Sequence, residues 1–222
     1  MAGSRGFGAR ATRFFQDLEE DNSRDFWNAH KEIYEREVKQ PMVALLESLP
    51  EKYQPFRLFR MNRDLRFTKD KSPYKTQQGA ISDAGGRDYY LHLDGTGLLV
   101  AVGTYLMEPD QLERYRPAVA DGRSGQALER ILADLEARSV KTHGIGVPSL
   151  KTAPRGYVKD HPRIELLQRK GLIGHRTLTG AKLRTSGGVR DFVLETFEAC
   201  EPLVAWLGRY VGAPAGRSEA GR

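Results

Sequence analysis

A run of positive side chains between Arg57 and Thr76 is the stretch whose residue types and spacing most clearly indicate chemistry. Seven cations fall within nineteen residues, namely Arg57, Arg60, Arg63, Arg66, Lys69, Lys71 and Lys75. Only Asp64 and Asp70 oppose them there. A cluster of one sign repels itself and is costly to desolvate, so carboxylates, an anionic ligand or solvent must hold it together. The run therefore predicts a protein that handles an anion, without indicating a reaction.

Three interpretations of this basic segment stay open. In the first, several guanidinium and ammonium groups converge on a phosphate or carboxylate, for which arginine offers a bidentate fork. In the second, Arg63 and Arg66 pair with Asp64 and Asp70 and pin an irregular loop. In the third, the charges are simply solvated. We predict the first, and the predicted anion-binding residues are Arg60, Arg63, Arg66, Lys69, Lys71, Tyr74, Lys75 and, from a second segment, Arg155.

That second segment runs from residue 154 to residue 162, with the sequence PRGYVKDHP. Arg155, Lys159 and His161 precede a helix expected to begin at Pro162, whose first N–H groups lack partners and favour anions. The alternative is structural, with Asp160 or His161 capping that helix and Tyr157 packing in the core. The Ser72-Pro73 turn and the diglycine at 85–86 lack the glycine spacing of a phosphate-binding loop or a dinucleotide fingerprint.

The candidates for proton transfer are Asp64, Asp70, His92 and His161. His92 is notable because it shares a predicted strand face with Tyr90 and Asp94, a polar strip that is either solvent-facing or the floor of a cleft. The five histidines show no metal-ligand spacing, and no cofactor is implied by the sequence. The single cysteine, Cys200, lies in an apolar helical stripe and is expected to be inert.

Two further functions use the same residues. An enzyme of phosphoester or nucleotide chemistry would hold the anion with Arg63, Arg66 and Lys71, and Asp64 or Asp70 would act as acid, base or metal ligand. A nucleic-acid-binding module would add aromatic stacking surfaces, namely Tyr74, Tyr89 and Tyr90. The formal net charge of +6 is small for a general nucleic-acid coat. The sequence leaves open whether the protein is an enzyme, and it predicts no oligomeric state.

Hydrophobic periodicity places these residues in an α+β fold, with one antiparallel sheet from the middle of the chain covered by N- and C-terminal helices. Helices are expected up to Glu20, after a cap at Asn22 or Ser23, and from Pro41. Three more are expected from Pro109 with a kink or break at Pro117, after a Ser124 cap, and from Pro162. The last helix is expected over 189–211, with a kink or split at Pro202. Strands are expected over 56–61, 77–82, 88–94, 98–105 and 172–178.

Length and composition predict one domain over residues 10–211, with disordered tails at 1–9 and 212–222. No apolar run approaches the length of a membrane span, and the N-terminus lacks a signal-peptide core. We therefore expect a cytoplasmic protein with no membrane partner. Its expected partner is an anionic small molecule or phosphate-bearing ligand, and nucleic acid is the weaker alternative.

Several segments resemble the uncharacterised family called domain of unknown function 2461. The most specific is NRDLRFTKDKSPYKT at 62–76, and the others are FFQDLEEDNSRDFW at 14–27, YYLHL at 89–93 with GTY at 103–105, and PRGYVKDHP at 154–162. Tyr34 and Pro41 also fit. The resemblance covers the chain from about Phe14 to the last helix. It implies a single-domain bacterial-type protein and brings no activity with it.

Overall fold

The structure is a computed structural model that describes residues 6–64, 66, 71–82, 88–143 and 145–215. Its helices are α1 (Ala9–Glu20), α2 (Arg24–Ile33), α3 (Gln40–Glu47), α4 (Pro109–Ala120), α5 (Gly122–Ala137), α6 (Ile164–Gln168), α7 (Ser186–Ala199) and α8 (Glu201–Tyr210). Its strands are β1 (Arg57–Leu58), β2 (Gln77–Ser82), β3 (Asp88–Asp94), β4 (Leu98–Thr104) and β5 (Leu172–Leu178). A π-helical segment occupies Tyr34–Lys39, and 3-10 turns occupy Glu51–Tyr53 and Gly180–Arg184.

The strands form one antiparallel sheet in the order β1-β2-β3-β4-β5, preceded by three helices and followed by further helices. The predicted α+β class is therefore confirmed. The register places His92 opposite Gly79 and Asp94 opposite Gln77. Along β3, Tyr89, Leu91 and Leu93 are buried, and the residues between them are half-buried. This alternation is the period-two pattern of a strand with one core face.

The chain divides into two compact units, which are described separately. Unit 1 contains Met1–Ala84, Tyr89–Val100 and Thr177–Glu195, and unit 2 contains Gly85–Asp88, Ala101–Arg176 and Thr196–Arg222. The predicted single domain stays a prediction. Within the predicted N-terminal tail, Phe7 is buried and its N–H donates to the Leu183 carbonyl at 2.7 Å.

The part of the unit 1 core formed by α1, α2 and the π-helical segment is aromatic. The Phe14 ring lies 5.3 Å from Phe15 and 5.8 Å from Tyr34, centroid to centroid, and Trp27 lies 5.0 Å from Tyr34. Tyr34 donates its hydroxyl to Gln78 Oε1 at 2.6 Å, which satisfies both buried groups. Burial raises the pKa of the Tyr34 hydroxyl, and the neighbouring Glu35 carboxylate raises it further. Helices α1 and α2 are thereby fixed against strand β2.

Unit 2 is a helical cluster around Tyr115 and Trp206, whose rings meet edge to face at 6.1 Å. Tyr115 donates to the Leu166 carbonyl at 2.9 Å, and Trp206 donates to the Ser124 carbonyl at 3.0 Å. Both polar atoms of these large aromatic side chains therefore have partners inside the unit. Burial raises the pKa of the Cys200 thiol to about 12, as expected for an inert buried cysteine.

Local hydrogen bonds decide between the two predicted caps of α2 and correct the predicted cap of α5. The α2 cap is Ser23, whose Oγ accepts from Phe26 N at 3.1 Å, while Asn22 bonds elsewhere. Helix α5 is capped by Asp121 rather than Ser124, because the Asp121 carboxylate accepts the N–H groups of Arg123 and Ser124.

Three further predictions concern prolines, and a fourth concerns the length of β1. Helix α4 continues through Pro117, and Pro202 divides the last helix into α7 and α8, as predicted. Helix α6 begins at Ile164 rather than Pro162, and β1 is far shorter than the predicted strand over 56–61.

Candidate anion-binding site

The two ends of the basic segment form a short antiparallel ladder in unit 1. Asn62 and Tyr74 make an isolated β-bridge, Arg63 N donates to the Pro73 carbonyl at 2.9 Å, and Lys75 N donates to the Met61 carbonyl at 2.8 Å. This ladder brings Lys75 beside the 60–63 stretch, although they are distant in sequence. The predicted site residue Lys69 and the candidate Asp70 lie outside the described residues.

Asn22 fastens this ladder to the helical layer. Its Nδ2 donates to the Tyr74 carbonyl at 3.1 Å, and its Oδ1 accepts from Tyr74 N at 3.0 Å. The Tyr74 ring stacks on Trp27 with centroids 4.4 Å apart and planes 13° from parallel. A side-chain amide thus substitutes for a neighbouring strand and satisfies both backbone groups of Tyr74. Sequence reasoning missed this role, because the two residues are far apart in the chain.

Lys75 is the central cation of the site. Its Nζ donates to the Arg60 carbonyl at 2.8 Å and lies 5.3 Å from the Phe59 ring centroid. Burial lowers the pKa of the Lys75 ammonium, and the positive charges of Arg60 and Arg63 lower it further. Within the described part of the chain, no carboxylate forms an ion pair with Lys75 or with Arg60. Lys75 therefore lies near two like charges, those of Arg60 and Arg63. Among the described residues, neither Lys75 nor Arg60 has a carboxylate partner.

A second cation, Arg57, lies near Phe59, with its guanidinium carbon 5.2 Å from the ring centroid. Cations above an aromatic face are stabilised by the ring quadrupole. Arg57, Arg60 and Lys71 are exposed, while Arg63 and Lys75 are half-buried. The cluster is thus open to solvent on one side, and an incoming anion has access to it.

Arg66 and Asp64 form a separate pair. Arg66 Nη2 lies 2.7 Å from Asp64 Oδ2, and the Arg66 backbone N–H also donates to this carboxylate at 3.1 Å. These hydrogen bonds from Arg66 lower the pKa of the Asp64 carboxyl. The contact supports the ion-pair interpretation for these two residues. A carboxylate held charged in this way is a poor proton donor.

A chain of hydrogen bonds follows the half-buried face of β2 and β3. Gln77 Nε2 donates to the Tyr90 hydroxyl at 3.1 Å, His92 Nδ1 lies 3.1 Å from that hydroxyl, and His92 Nε2 lies 3.3 Å from Asp94 Oδ2. Thr96 N, Thr96 Oγ1 and Gly97 N also donate to Asp94.

These contacts fix the charge of Asp94. Burial acts to raise the pKa of the Asp94 carboxyl, but hydrogen bonds from His92, Thr96 and Gly97 outweigh it, so the net pKa is lowered. The predicted polar strip is therefore a connected network that ends on a charged carboxylate.

Phe59 connects the cations with this network. Its ring centroid is 6.4 Å from that of Tyr90. The two rings meet above Gly79, where an added Cβ would lie 3.0 Å from a Phe59 ring carbon and 3.1 Å from the Tyr90 hydroxyl oxygen. A side chain at this position would therefore require one of the two rings to shift by a few tenths of an ångström.

Other predicted residues lie elsewhere. Tyr74 and Tyr89 are buried, Tyr74 against Trp27 and Tyr89 against Tyr53 at 5.0 Å, so neither ring offers a surface for nucleic-acid bases. Arg155 is exposed and belongs to unit 2, as does His161. His161 Nδ1 accepts from Arg163 N at 3.0 Å, which supports the structural interpretation of that segment. With its start at Ile164, helix α6 has five residues.

Unit 2 also contains a surface cavity of about 390 Å³, lined by Gly103 and Thr104, by residues of α8 and by the three residues after it, and none of the predicted site residues lines it. Among the described residues, no group of three histidine, cysteine or acidic side chains is arranged to hold a metal ion. The helices that the structure describes include none both long and apolar enough to span a membrane.

The fold and the site define an α+β protein in which Asn22 bonds to Tyr74 in the ladder between residues 61–63 and 73–75. The family model described as "Conserved hypothetical protein (DUF2461)" matches residues 10–206, so the chain belongs to this family. The resemblance drawn from the sequence is thereby confirmed. Neither the curated proteins nor the solved structures gave a match.

Proposed function

We propose that unit 1 binds a phosphorylated or other anionic ligand through Lys75, Arg60 and Arg63. The observation that carries this proposal is the position of the Lys75 ammonium, half-buried beside two like charges and without a carboxylate partner in the described residues. Bringing cations together costs free energy that an anion would recover on binding. Arg57 and Lys71 are further positive side chains of the same segment and are exposed.

The alternative functions have less support. Stacking of nucleic-acid bases would require open aromatic rings, and two of the three candidate tyrosines are packed against other aromatic side chains. The salt-bridge scaffold applies to Arg66 and Asp64, but it does not account for Lys75. Binding of a small anion is therefore the function that the arrangement favours.

Thermal unfolding with and without phosphate tests the proposal. A ligand that binds the native state only, with a Kd of about 1 mM, adds about 1.4 kcal/mol at about 10 mM. For a chain of this length that free energy raises the Tm by roughly 3–6 °C. Chloride at matched ionic strength serves as the reference. We expect Lys75→Gln to remove the phosphate-dependent rise.

The matched control is Lys31→Gln, because Lys31 is an exposed cation of the same unit at the C-terminal end of α2. It removes the same charge, so the control should keep the full response to phosphate. A wild type without any response, or a Lys75→Gln variant that responds as fully as the control, would refute the site.

A further inference from the structure

Arg116 is a cation of unit 2 that the proposed function does not use. It lies on α4 and is half-buried, and its Nε is buried without a hydrogen-bond partner. No carboxylate among the described residues forms an ion pair with Arg116. Burying a guanidinium N–H without a partner costs free energy, which an arriving anion would offset. The unpaired guanidinium is therefore a candidate binding group.

The Tyr157 hydroxyl is the second such group. Burial raises the pKa of the Tyr157 hydroxyl, and the positive charge of Arg116 opposes that rise. A charge has this effect only on a group that lies close to it. The hydroxyl forms no hydrogen bond with a described residue, so its proton is available to the same ligand as the guanidinium N–H groups.

Hydrogen bonds hold the Tyr157 segment against the last turn of α4. Arg163 Nη2 donates to the Ala120 carbonyl at 3.2 Å, and Ala120 follows Arg116 by four residues, on the same face of the helix. The Arg163 backbone N–H donates to His161 Nδ1 at 3.0 Å, and the His161 ring meets the Tyr157 ring edge to face with centroids 6.4 Å apart. These contacts agree with the effect of the Arg116 charge on Tyr157.

We propose that Arg116 and the Tyr157 hydroxyl bind a carboxylate, in a site whose residues all belong to unit 2. A guanidinium offers two parallel N–H donors to one carboxylate, and a phenolic hydroxyl donates to the same group. His161 positions the Tyr157 ring and does not itself contact the ligand. The site goes beyond the proposed function, which concerns Lys75 and its neighbours in unit 1.

The charge of the site favours a carboxylate over phosphate. Among the described residues, Arg116 is the one cation whose charge affects the Tyr157 hydroxyl. One positive charge matches the single negative charge of a carboxylate, whereas a phosphate group carries about −1.5 to −2 at neutral pH. Val158, the next residue in the chain, is 63% exposed, which favours a carboxylate joined to an apolar group.

Titration with a fluorinated benzoate, followed by fluorine NMR, tests the site with a probe that joins a carboxylate to an apolar ring. We expect saturable binding to the wild type at millimolar concentrations. The matching fluorinated benzamide has nearly the same shape without the charge, so it should bind at least about tenfold more weakly.

Variants assign the binding to the two residues. Arg116→Gln should weaken binding of the benzoate at least about tenfold, because it removes the charged fork. Tyr157→Phe keeps the ring and removes one donor, so it should weaken binding about 2–10-fold. Arg130→Gln is the matched control, because Arg130 is an exposed arginine of the same unit on α5, and it should bind as the wild type does. Thermal melts confirm that each variant folds.

Lys75→Gln separates this site from the anion site of unit 1. The part of the benzoate binding that depends on Arg116 should be the same in the wild type and in Lys75→Gln. Unchanged affinity in Arg116→Gln and Tyr157→Phe, or equal binding of the benzamide, would overturn the site. Binding that is lost in Lys75→Gln and kept in Arg116→Gln would also overturn it, by assigning the probe to unit 1. Displacement of the benzoate from Lys75→Gln by an equal concentration of phosphate would overturn the choice of a carboxylate.

Discussion

The Asn22 side chain gives the most direct structural prediction, because it makes two hydrogen bonds to Tyr74 in the ladder between residues 61–63 and 73–75. Asn22→Ala removes both and leaves two backbone groups of a buried residue without their partners. Each such bond contributes about 0.5–1.5 kcal/mol net, so the free energy of unfolding should fall by about 1–3 kcal/mol. The Trp27 stack on Tyr74 is retained, which limits the loss to the hydrogen bonds.

Amide hydrogen exchange is the assay that locates this loss. If the ladder opens locally, protection of the Tyr74 amide should fall by a factor of about 5–150, which corresponds to about 1–3 kcal/mol. Asn22→Asp keeps the acceptor for Tyr74 N but cannot donate to the carbonyl, so its effect should be smaller. Asn28→Ala, at an exposed position on α2, is the control. Unchanged protection of the Tyr74 amide in Asn22→Ala would refute the proposed role of Asn22 in stabilising this ladder.

Two further predictions concern charged groups of unit 1. Arg66→Gln should change the Tm little in thermal melts, because the Arg66 side chain is 77% exposed, and a marked fall would show that its ion pairing is structural. Asp94→Asn should lower stability at neutral pH, since the pKa of this carboxyl is lower in the folded state than its ordinary 3.8. That stability is present above the unfolded pKa and is lost as pH falls through the folded value. In acid unfolding curves the wild-type advantage should therefore shrink below about pH 4, and a constant difference would contradict this sign.

Much of the fold follows from local patterns in the sequence. The strands β2 and β3 have the predicted bounds, and in β3 buried and half-buried residues alternate, which is a local signal. The caps of α2 and α5 were harder to place, since neighbouring Asn, Ser and Asp residues compete for the same role. The predicted strand at 56–61 was too long, because it lacks clear alternation and only two residues pair with β2.

The candidate site was harder to predict from the sequence than the fold, for a physical reason. The cation run was visible as a cluster, but whether each charge has a partner depends on contacts between distant segments, such as Lys75 with Arg60. Residue type also could not separate the buried rings of Tyr74 and Tyr89 from the half-buried ring of Tyr90. The polar strip of Tyr90, His92 and Asp94 was found from its period of two, whereas the donor Gln77 lies on a neighbouring strand.

Isothermal titration of phosphate into the protein tests the central claim most directly. We expect saturable binding to the wild type and to Lys31→Gln, and at least about tenfold weaker binding to Lys75→Gln, because one cation of the cluster is lost. A higher chloride concentration should weaken the binding by screening. Absence of saturable binding to the wild type at millimolar phosphate, or equal affinity in Lys75→Gln, would contradict the assignment of Lys75 to an anion site.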